Sequence, residues 1–406
     1  MKSGLLGRKL AHSYSPQIHS YLGDYSYELF EKEPDELDSF FKNSNFDCIN
    51  VTIPYKKDVM PYCTELTECA RKMGAVNTIV RQKDGTLIGH NTDYFGLHYT
   101  FNRMGLKLSG KKVLVLGSGG ASVTTVIVLR ELGANVVIIS RTGENNYNNL
   151  HRHKDAAMII NTTPVGMYPN AGISPVDLDM FPQLEGVLDI IYNPARTKLL
   201  LDAAKRNIPC ENGLWMLVAQ AKESAEWFTN AKISDGVIPD IYLKMCKRME
   251  NIVLVGMPGC GKSTIGKLVA EKLGKTFVDA DDEIPKIAGI SIPQIFEKFG
   301  EEKFRQIESE VLEDLGQKSN FVIATGGGCV TRSENYNSLH QNGTIYWIQR
   351  DIAMLPIDGR PLSQKNDLSH MYNTRKPLYE KFADEIIVND GSVDDAVNEI
   401  IRGRTI

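Results

Sequence analysis

The order of apolar and polar positions along the chain predicts two places where a buried strand runs into a glycine-rich loop. Lys112-Val113-Leu114-Val115-Leu116 leads into Gly117-Ser118-Gly119-Gly120-Ala121. Ile252-Val253-Leu254-Val255 leads into Gly256-Met257-Pro258-Gly259-Cys260-Gly261-Lys262-Ser263. Near-continuous apolar runs suit strands covered on both faces, as in a parallel sheet flanked by helices. Ligands of such sheets bind beyond the carboxyl ends of the strands, so each loop marks a candidate site. Shorter strand-like runs, Tyr27-Glu28-Leu29-Phe30 and Cys48-Ile49-Asn50-Val51-Thr52-Ile53, lie among helical stretches before the first loop. Helical spacing predicts a helix over 214–231, with Leu217, Val218, Ala221, Ala225 and Phe228 on one face. A second is expected over 238–249, with Ile241, Leu243, Met245 and Cys246 available for packing. No Gly/Ser-rich or Pro-rich linker separates that helix from the next strand, which puts the join near Met249-Glu250.

Composition narrows the class. A chain of 406 residues exceeds one ordinary hydrophobic core. With 42% apolar and 24% charged residues it reads as globular, not disordered. Lys and Arg total 46 against 50 Asp and Glu, a net charge of −4, which excludes a nucleic-acid binder held by a general basic surface. No apolar run approaches the ~20 residues of a bilayer span, and Met1-Lys2-Ser3-Gly4 does not open a signal-peptide stretch. A cytoplasmic protein without nucleic-acid or membrane partners is the expectation. Seven Cys without a C-x-x-C pair suggest neither a disulfide framework nor a Cys-based zinc site.

The loops carry different chemistry. The turn at Gly117, Gly119 and Gly120 lets backbone approach a pyrophosphate at a helix N-terminus, although Ser122 stands where the usual fingerprint has Gly or Ala. The following strand, Val136-Val137-Ile138-Ile139-Ser140, ends in Arg141-Thr142 rather than in Asp or Glu. A guanidinium there suits a ribose 2′-phosphate, which favours NADP(H) over NAD. The second loop is a complete P-loop for a phosphate chain: Gly259, Cys260, Gly261 and Thr264 surround the phosphates, Lys262 reaches the transferred end and Ser263 ligates Mg2+.

Residues 1–248 resemble shikimate dehydrogenase. The resemblance rests on His12-Ser13-Tyr14-Ser15-Pro16-Gln17-Ile18-His19, Asn50-Val51-Thr52-Ile53-Pro54-Tyr55-Lys56, Gly74-Ala75-Val76-Asn77-Thr78 and Asn91-Thr92-Asp93. It continues through Asn161-Thr162-Thr163-Pro164-Val165-Gly166-Met167, Asp189-Ile190-Ile191-Tyr192-Asn193-Pro194 and Gly213-Leu214-Trp215-Met216-Leu217-Val218-Ala219-Gln220. It implies that Lys56 and Asp93 form the catalytic pair and that Ser13 and Ser15 hold the substrate carboxylate. Thr52, Asn77, Tyr192 and Gln220 then contact substrate, while Ser118, Ala121, Ser140, Thr142, Ile190 and Gly213 join the NADP site. His12 and His19 are read as structural. The family usually has Asn where Ser140 stands, and only about 20 residues separate Arg141 from Asn161, which implies a smaller sheet.

Residues 250–406 resemble shikimate kinase, through Phe277-Val278-Asp279-Ala280-Asp281, Phe299-Gly300-Glu301-Glu302-Lys303-Phe304-Arg305-Gln306-Ile307-Glu308 and Gly326-Gly327-Gly328. Gly359-Arg360-Pro361-Leu362 and Arg375-Lys376-Pro377-Leu378-Tyr379 extend the match. The implied roles are acceptor hydroxyls at Asp281, magnesium and the attacking oxygen near Asp279, and a carboxylate clasp from Arg305 and Arg375 beside Gly327. Arg360, in the lid, stabilises the phosphoryl charge and contacts ATP. The lid stretch Ile352-Ala353-Met354-Leu355-Pro356-Ile357-Asp358 lacks the arginine that commonly stacks on adenine.

The expected protein is therefore α/β throughout. Residues 1–102, with returning helices about 214–248, form a substrate lobe, and 103–213 form a Rossmann-like NADP lobe. Residues 250–406 form a P-loop domain on a parallel sheet. Its expected work is reduction of 3-dehydroshikimate and phosphorylation of shikimate, both small molecules. Two alternatives stay open at this point. One is an NAD-dependent quinate/shikimate dehydrogenase fused to a kinase of another small hydroxy acid; the other is a fusion with one half kept as a ligand sensor.

Overall fold

The computed structural model describes residues 1–11, 13–43, 45–355, 368–402 and 404. They fall into two compact units. The first comprises Met1–Pro164, Pro175–Tyr192 and Asp202–Met245; the second comprises Val165–Ser174, Asn193–Leu201 and Cys246–Ile406. The last change of unit falls between Met245 and Cys246, within the helix Val237–Met249. The grouping of 165–174 and 193–201 with the second unit was not expected.

The first unit holds two sheets. One contains β1 (Lys2–Gly7), β2 (Ser26–Glu31), β3 (Cys48–Val51), β4 (Glu65–Leu66), β5 (Thr78–Arg81) and β6 (Leu87–His90), in the order β2-β1-β3-β5-β6-β4. β1 runs parallel to β2 and β3, and β5 is antiparallel to β3 and β6. The other is all-parallel: β7 (Lys112–Leu116), β8 (Asn135–Ile139), β9 (Met158–Asn161), β10 (Gly186–Asp189) and β11 (Cys210–Asn212), in the order β11-β10-β9-β7-β8. The short passage from Arg141 to Asn161 contains a 3-10 helix, Tyr147–His153, and the sheet has five strands.

Register places the loops. Leu116 pairs with Ile139 and Asn161, and Asp189 pairs with Asn161 and Asn212. Gly117, Ser140, Ile190 and Gly213 each follow one of these strand ends, so they share one carboxyl edge. The helix Leu214–Thr229 then returns to the first sheet, where Ser224 accepts a hydrogen bond from the Asn50 amide.

The second unit is built on β12 (Asn251–Val255), β13 (Thr276–Asp279), β14 (Phe321–Ala324), β15 (Gly343–Gln349) and β16 (Glu385–Val388), all parallel in the order β13-β14-β12-β15-β16. Every residue of β12 is buried, as its apolar run predicts for a central strand. The helix Val237–Met249 precedes it. Its buried face is Ile238, Ile241, Met245 and Met249, whereas Leu243, expected to pack, is exposed because it lies off that stripe.

Candidate functional sites

The first cleft is a cavity of about 660 Å³ at the carboxyl edge of β3 and the start of the helix Leu214–Thr229. Ser13, Ser15, Thr52, Lys56, Asn77, Asp93, Tyr192 and Gln220 all line it, together with Ala121, Ile190 and Gly213. Lys56 and Asp93 lie 37 positions apart in the chain, yet Lys56 Nζ donates to Asp93 Oδ2 at 2.6 Å. Asp93 opens the helix Asp93–Met104, where the exposed N–H groups and the helix dipole favour a carboxylate.

Behind these residues lies a buried network of hydroxyls and amides. Tyr27 donates to Asn50 Oδ1 at 2.8 Å, and the Asn50 amide donates to Ser224 Oγ at 2.8 Å and Thr78 Oγ1 at 3.1 Å. The Thr92 backbone N–H donates to Asn77 Oδ1 at 2.8 Å, and Thr92 Oγ1 donates to Gln220 Oε1 at 3.3 Å. The amide oxygens of Asn77 and Gln220 are thus engaged from within, which orients their amino groups. Asn50, Thr78, Thr92 and Ser224 were not singled out from sequence, since their partners lie on other strands and helices. Burial pushes the Tyr192 hydroxyl up to about 12, with Tyr14 adding to the shift. His19 is buried between the Tyr27 and Phe228 rings, which fits a structural role, and burial lowers it to about 3. His12 lies outside the described residues.

The adjoining loop fits a dinucleotide. Gly119 has an extended backbone, and a Cβ at Gly119 or Gly120 would touch nothing within 4 Å. Neither conformation nor packing calls for glycine there, so the bare backbone leaves room for a ligand to approach the N-terminus of the helix Gly120–Glu131. Ser122, the departure from the fingerprint, is buried and donates its hydroxyl to the Gly117 carbonyl at 2.8 Å, so it packs without an orphaned group. Arg141 and Thr142 are exposed just beyond β8, and Ser118 is exposed in the loop after β7.

The second cleft, about 700 Å³, lies at the carboxyl edge of the second unit's sheet. Gly259, Gly261, Lys262, Ser263, Thr264, Asp279, Asp281, Arg305, Gly327 and Arg375 line it. Cys260 belongs to the same loop but is buried behind it. Gly261 takes a φ of +104° as the residue before the helix Lys262–Leu273, a conformation side chains resist. Lys262 Nζ donates to the Gly256 and Met257 carbonyls, curling over the loop. Ser263 Oγ donates to Asp279 Oδ2 at 2.6 Å. A hydroxyl and a carboxylate are hard oxygen donors, and two of them suit magnesium taken together with phosphate.

The acceptor side is crowded with charge. Arg305 pairs with the fully buried Glu308 at 2.6 Å and with Glu301 at 3.2 Å. The glycine run allows this packing, because a Cβ at Gly328 would fall 2.2 Å from the Arg305 guanidinium. Arg375 donates to the Gly327 carbonyl at 3.1 Å, and Tyr379 donates to the same oxygen. Burial, then the neighbouring Asp279 and Glu308 charges, push Asp281 up to about 6. Glu308 and Tyr379 were quoted within motifs but given no role, and Arg350, which also lines the cleft, was not noticed in the sequence. Arg360 lies outside the described residues.

Comparison with known proteins finds two families along the chain. Residues 5–79 match the family described as the shikimate dehydrogenase substrate binding domain, and residues 258–403 match the shikimate kinase family. Shikimate dehydrogenase (NADP(+)) of Clostridium beijerinckii is 34% identical over 260 residues, covering 59% of this chain and 96% of the relative. The crystal structure of shikimate dehydrogenase 1 from Peptoclostridium difficile is 36% identical with a TM-score of 0.55, covering 60% of this chain and 97% of that one. That of Thermus thermophilus shikimate 5-dehydrogenase, in complex with NADP(H) and shikimate, is 27% identical with a TM-score of 0.55 and covers 60% of this chain and 98% of that one. The chain belongs to the shikimate dehydrogenase family, and it carries a shikimate kinase domain on its C-terminal side.

Proposed function

We infer that the chain performs two successive reactions: NADPH-dependent reduction of 3-dehydroshikimate to shikimate, and MgATP-dependent phosphorylation of shikimate to shikimate 3-phosphate. The observation that carries this reading is the Lys56–Asp93 pair, 2.6 Å apart on the wall of a cavity rich in hydroxyl and amide groups. NADPH supplies a hydride and MgATP a phosphoryl group; the chain supplies positioning, charge and protons.

In the first cleft, Ser13 and Ser15 hold the carboxylate while Thr52, Asn77, Tyr192 and Gln220 hold the ring hydroxyls. Lys56 keeps a proton beside Asp93, where the oxygen of a reduced ketone needs one. Gly117, Ser118, Gly119, Gly120 and Ala121 receive the pyrophosphate, and Arg141, with Ser140 and Thr142, faces the 2′-phosphate. Ile190 and Gly213 border the same edge.

In the second cleft, Arg305 and Arg375 with Gly327 hold the acceptor's carboxylate, and Asp281 binds its hydroxyls. Ser263 and Asp279 hold the magnesium and Lys262 reaches the transferred group; the resemblance adds the charge of Arg360. Phosphoryl transfer asks mainly for such positioning and charge. The NADP-dependent relatives do not favour the quinate alternative. The paired Lys56 and Asp93, and the joined Ser263 and Asp279, speak against a sensor.

Coupled turnover tests the whole reading. Supplied with 3-dehydroshikimate, NADPH and MgATP, the protein is expected to yield phosphorylated shikimate. Shikimate accumulating without phosphorylation would overturn the kinase half, and no NADPH oxidation would overturn the dehydrogenase half.

A further inference from the structure

The second cleft contains a cation that the roles above leave unused. Arg350 follows the last residue of β15, and the β12–β15 register pairs Val255 with Trp347. The chain beyond β15 therefore runs beside the opening turn of the P-loop, where the Ile348 carbonyl would lie 2.5 Å from a Cβ at Gly256. Arg350 lines the cavity together with Pro258, Gly259 and Lys262.

The other cations of the cleft have partners. Lys262 donates to two loop carbonyls, Arg305 is held by Glu308 and Glu301, and Arg375 donates to Gly327. Arg350 makes no hydrogen bond or ion pair with any of the described residues, and its Nε is buried without a partner. A guanidinium stays charged at every accessible pH, and a buried unpaired N–H is costly, so this geometry favours an oxyanion in the cavity. Arg305 and Arg375 stand on the Gly326–Gly328 side of the cleft, whereas Arg350 adjoins the phosphate loop. The described stretch 351–355 contains no Lys or Arg.

We propose that Arg350 is a phosphate-binding residue of the second cleft, its guanidinium pairing with the phosphate chain of the nucleotide. The proposal rests on the reading of that cleft as an ATP-dependent kinase. It gives the nucleotide a planar, multi-donor contact beside the point charge of Lys262.

The test uses the full chain carrying Arg350→Gln or Arg350→Lys, titrated with MgATP and assayed for the KM of shikimate in the phosphorylation at saturating MgATP. Arg350→Gln is expected to raise the Kd for MgATP about tenfold or more, with Arg350→Lys recovering part of the loss. The KM for shikimate in the MgATP-dependent phosphorylation, which only the second cleft carries out, is expected to stay unchanged in both, which also reports that the second unit is folded. MgATP affinity at the wild-type level in Arg350→Gln overturns the assignment alone. A loss confined to shikimate also overturns it and moves Arg350 to the carboxylate side. Failure of the wild-type chain to bind MgATP overturns the kinase reading and the proposal together.

Discussion

The two clefts solve opposite electrostatic problems. In the first, the buried polar groups are mostly neutral hydroxyls and amides that complete one another, and its central charges, Lys56 and Asp93, are paired. In the second, Asp279, Asp281 and Glu308 crowd among Lys262, Arg305, Arg350 and Arg375, and Asp281 is pushed up to about 6. The difference follows from the chemistry. A hydride and one proton delivered to a small polyol need orientation and little net charge. A phosphoryl group brings several negative charges with its metal, and the cleft must supply matching cations before they arrive.

Substitutions that act on one cleft alone can break or sharpen this comparison. Lys262→Ala has the largest expected effect, a fall in kinase kcat of roughly 10³-fold, with NADPH oxidation unchanged. Both rates are measurable on the same preparation, and a joint loss would mean the clefts are not separate machines. Lys56→Ala comes next: reduction of 3-dehydroshikimate is expected to fall by roughly 10², while phosphorylation of added shikimate continues. Near-normal reduction would remove Lys56 from the chemistry.

The neutral character of the first cleft also predicts acid sensitivity. His19 is lowered from 6.5 to about 3 by burial, against the Tyr25 hydroxyl and between the Tyr27 and Phe228 rings. Between those values the unfolded chain binds a proton that the folded one refuses. The contribution is therefore full above pH 6.5 and is lost as pH falls towards 3. By pH 5 the loss is about 2 kcal/mol, readable by denaturant unfolding of the full chain. His19→Phe keeps the stacked ring without the titration, and an unchanged pH dependence in that variant would clear His19 of the effect. The smallest effect concerns the cofactor. Arg141→Ala is expected to raise the KM for NADPH about tenfold with little change for NADH, and equal losses would mean that Arg141 does not read the 2′-phosphate.

Much of both sites was legible because it lies in contiguous runs. The strand–loop–helix at Gly117 and the P-loop at Gly256 announce themselves, since close backbone approach needs glycine and a buried parallel strand needs an apolar run. Lys56 and Asp93 were identified through resemblance, as neither carries a local signal of pairing. Asn50 and Thr92 stand within quoted motifs without a role, and Ser224 stands in none, because a Ser, Thr or Asn in isolation reads as a surface or turn residue. Arg350 was hidden in the same way, as a lone arginine after a strand.

The amino-acid sequence by itself determined the α/β class, the two glycine-rich loops and the expected families, all of which depend on local pattern and motif order. Tertiary structure decided what depends on partners distant in the chain. It set the 2.6 Å contact between Lys56 and Asp93, the hydroxyl network that orients Asn77 and Gln220, and the five-stranded sheet with its 3-10 passage. It also assigned 165–174 and 193–201 to the second unit, and left Arg350 as the guanidinium of its cleft without a described partner. The physical reason is that periodicity and turn chemistry act over a few residues, whereas burial, pairing and charge compensation are properties of surfaces that folding brings together.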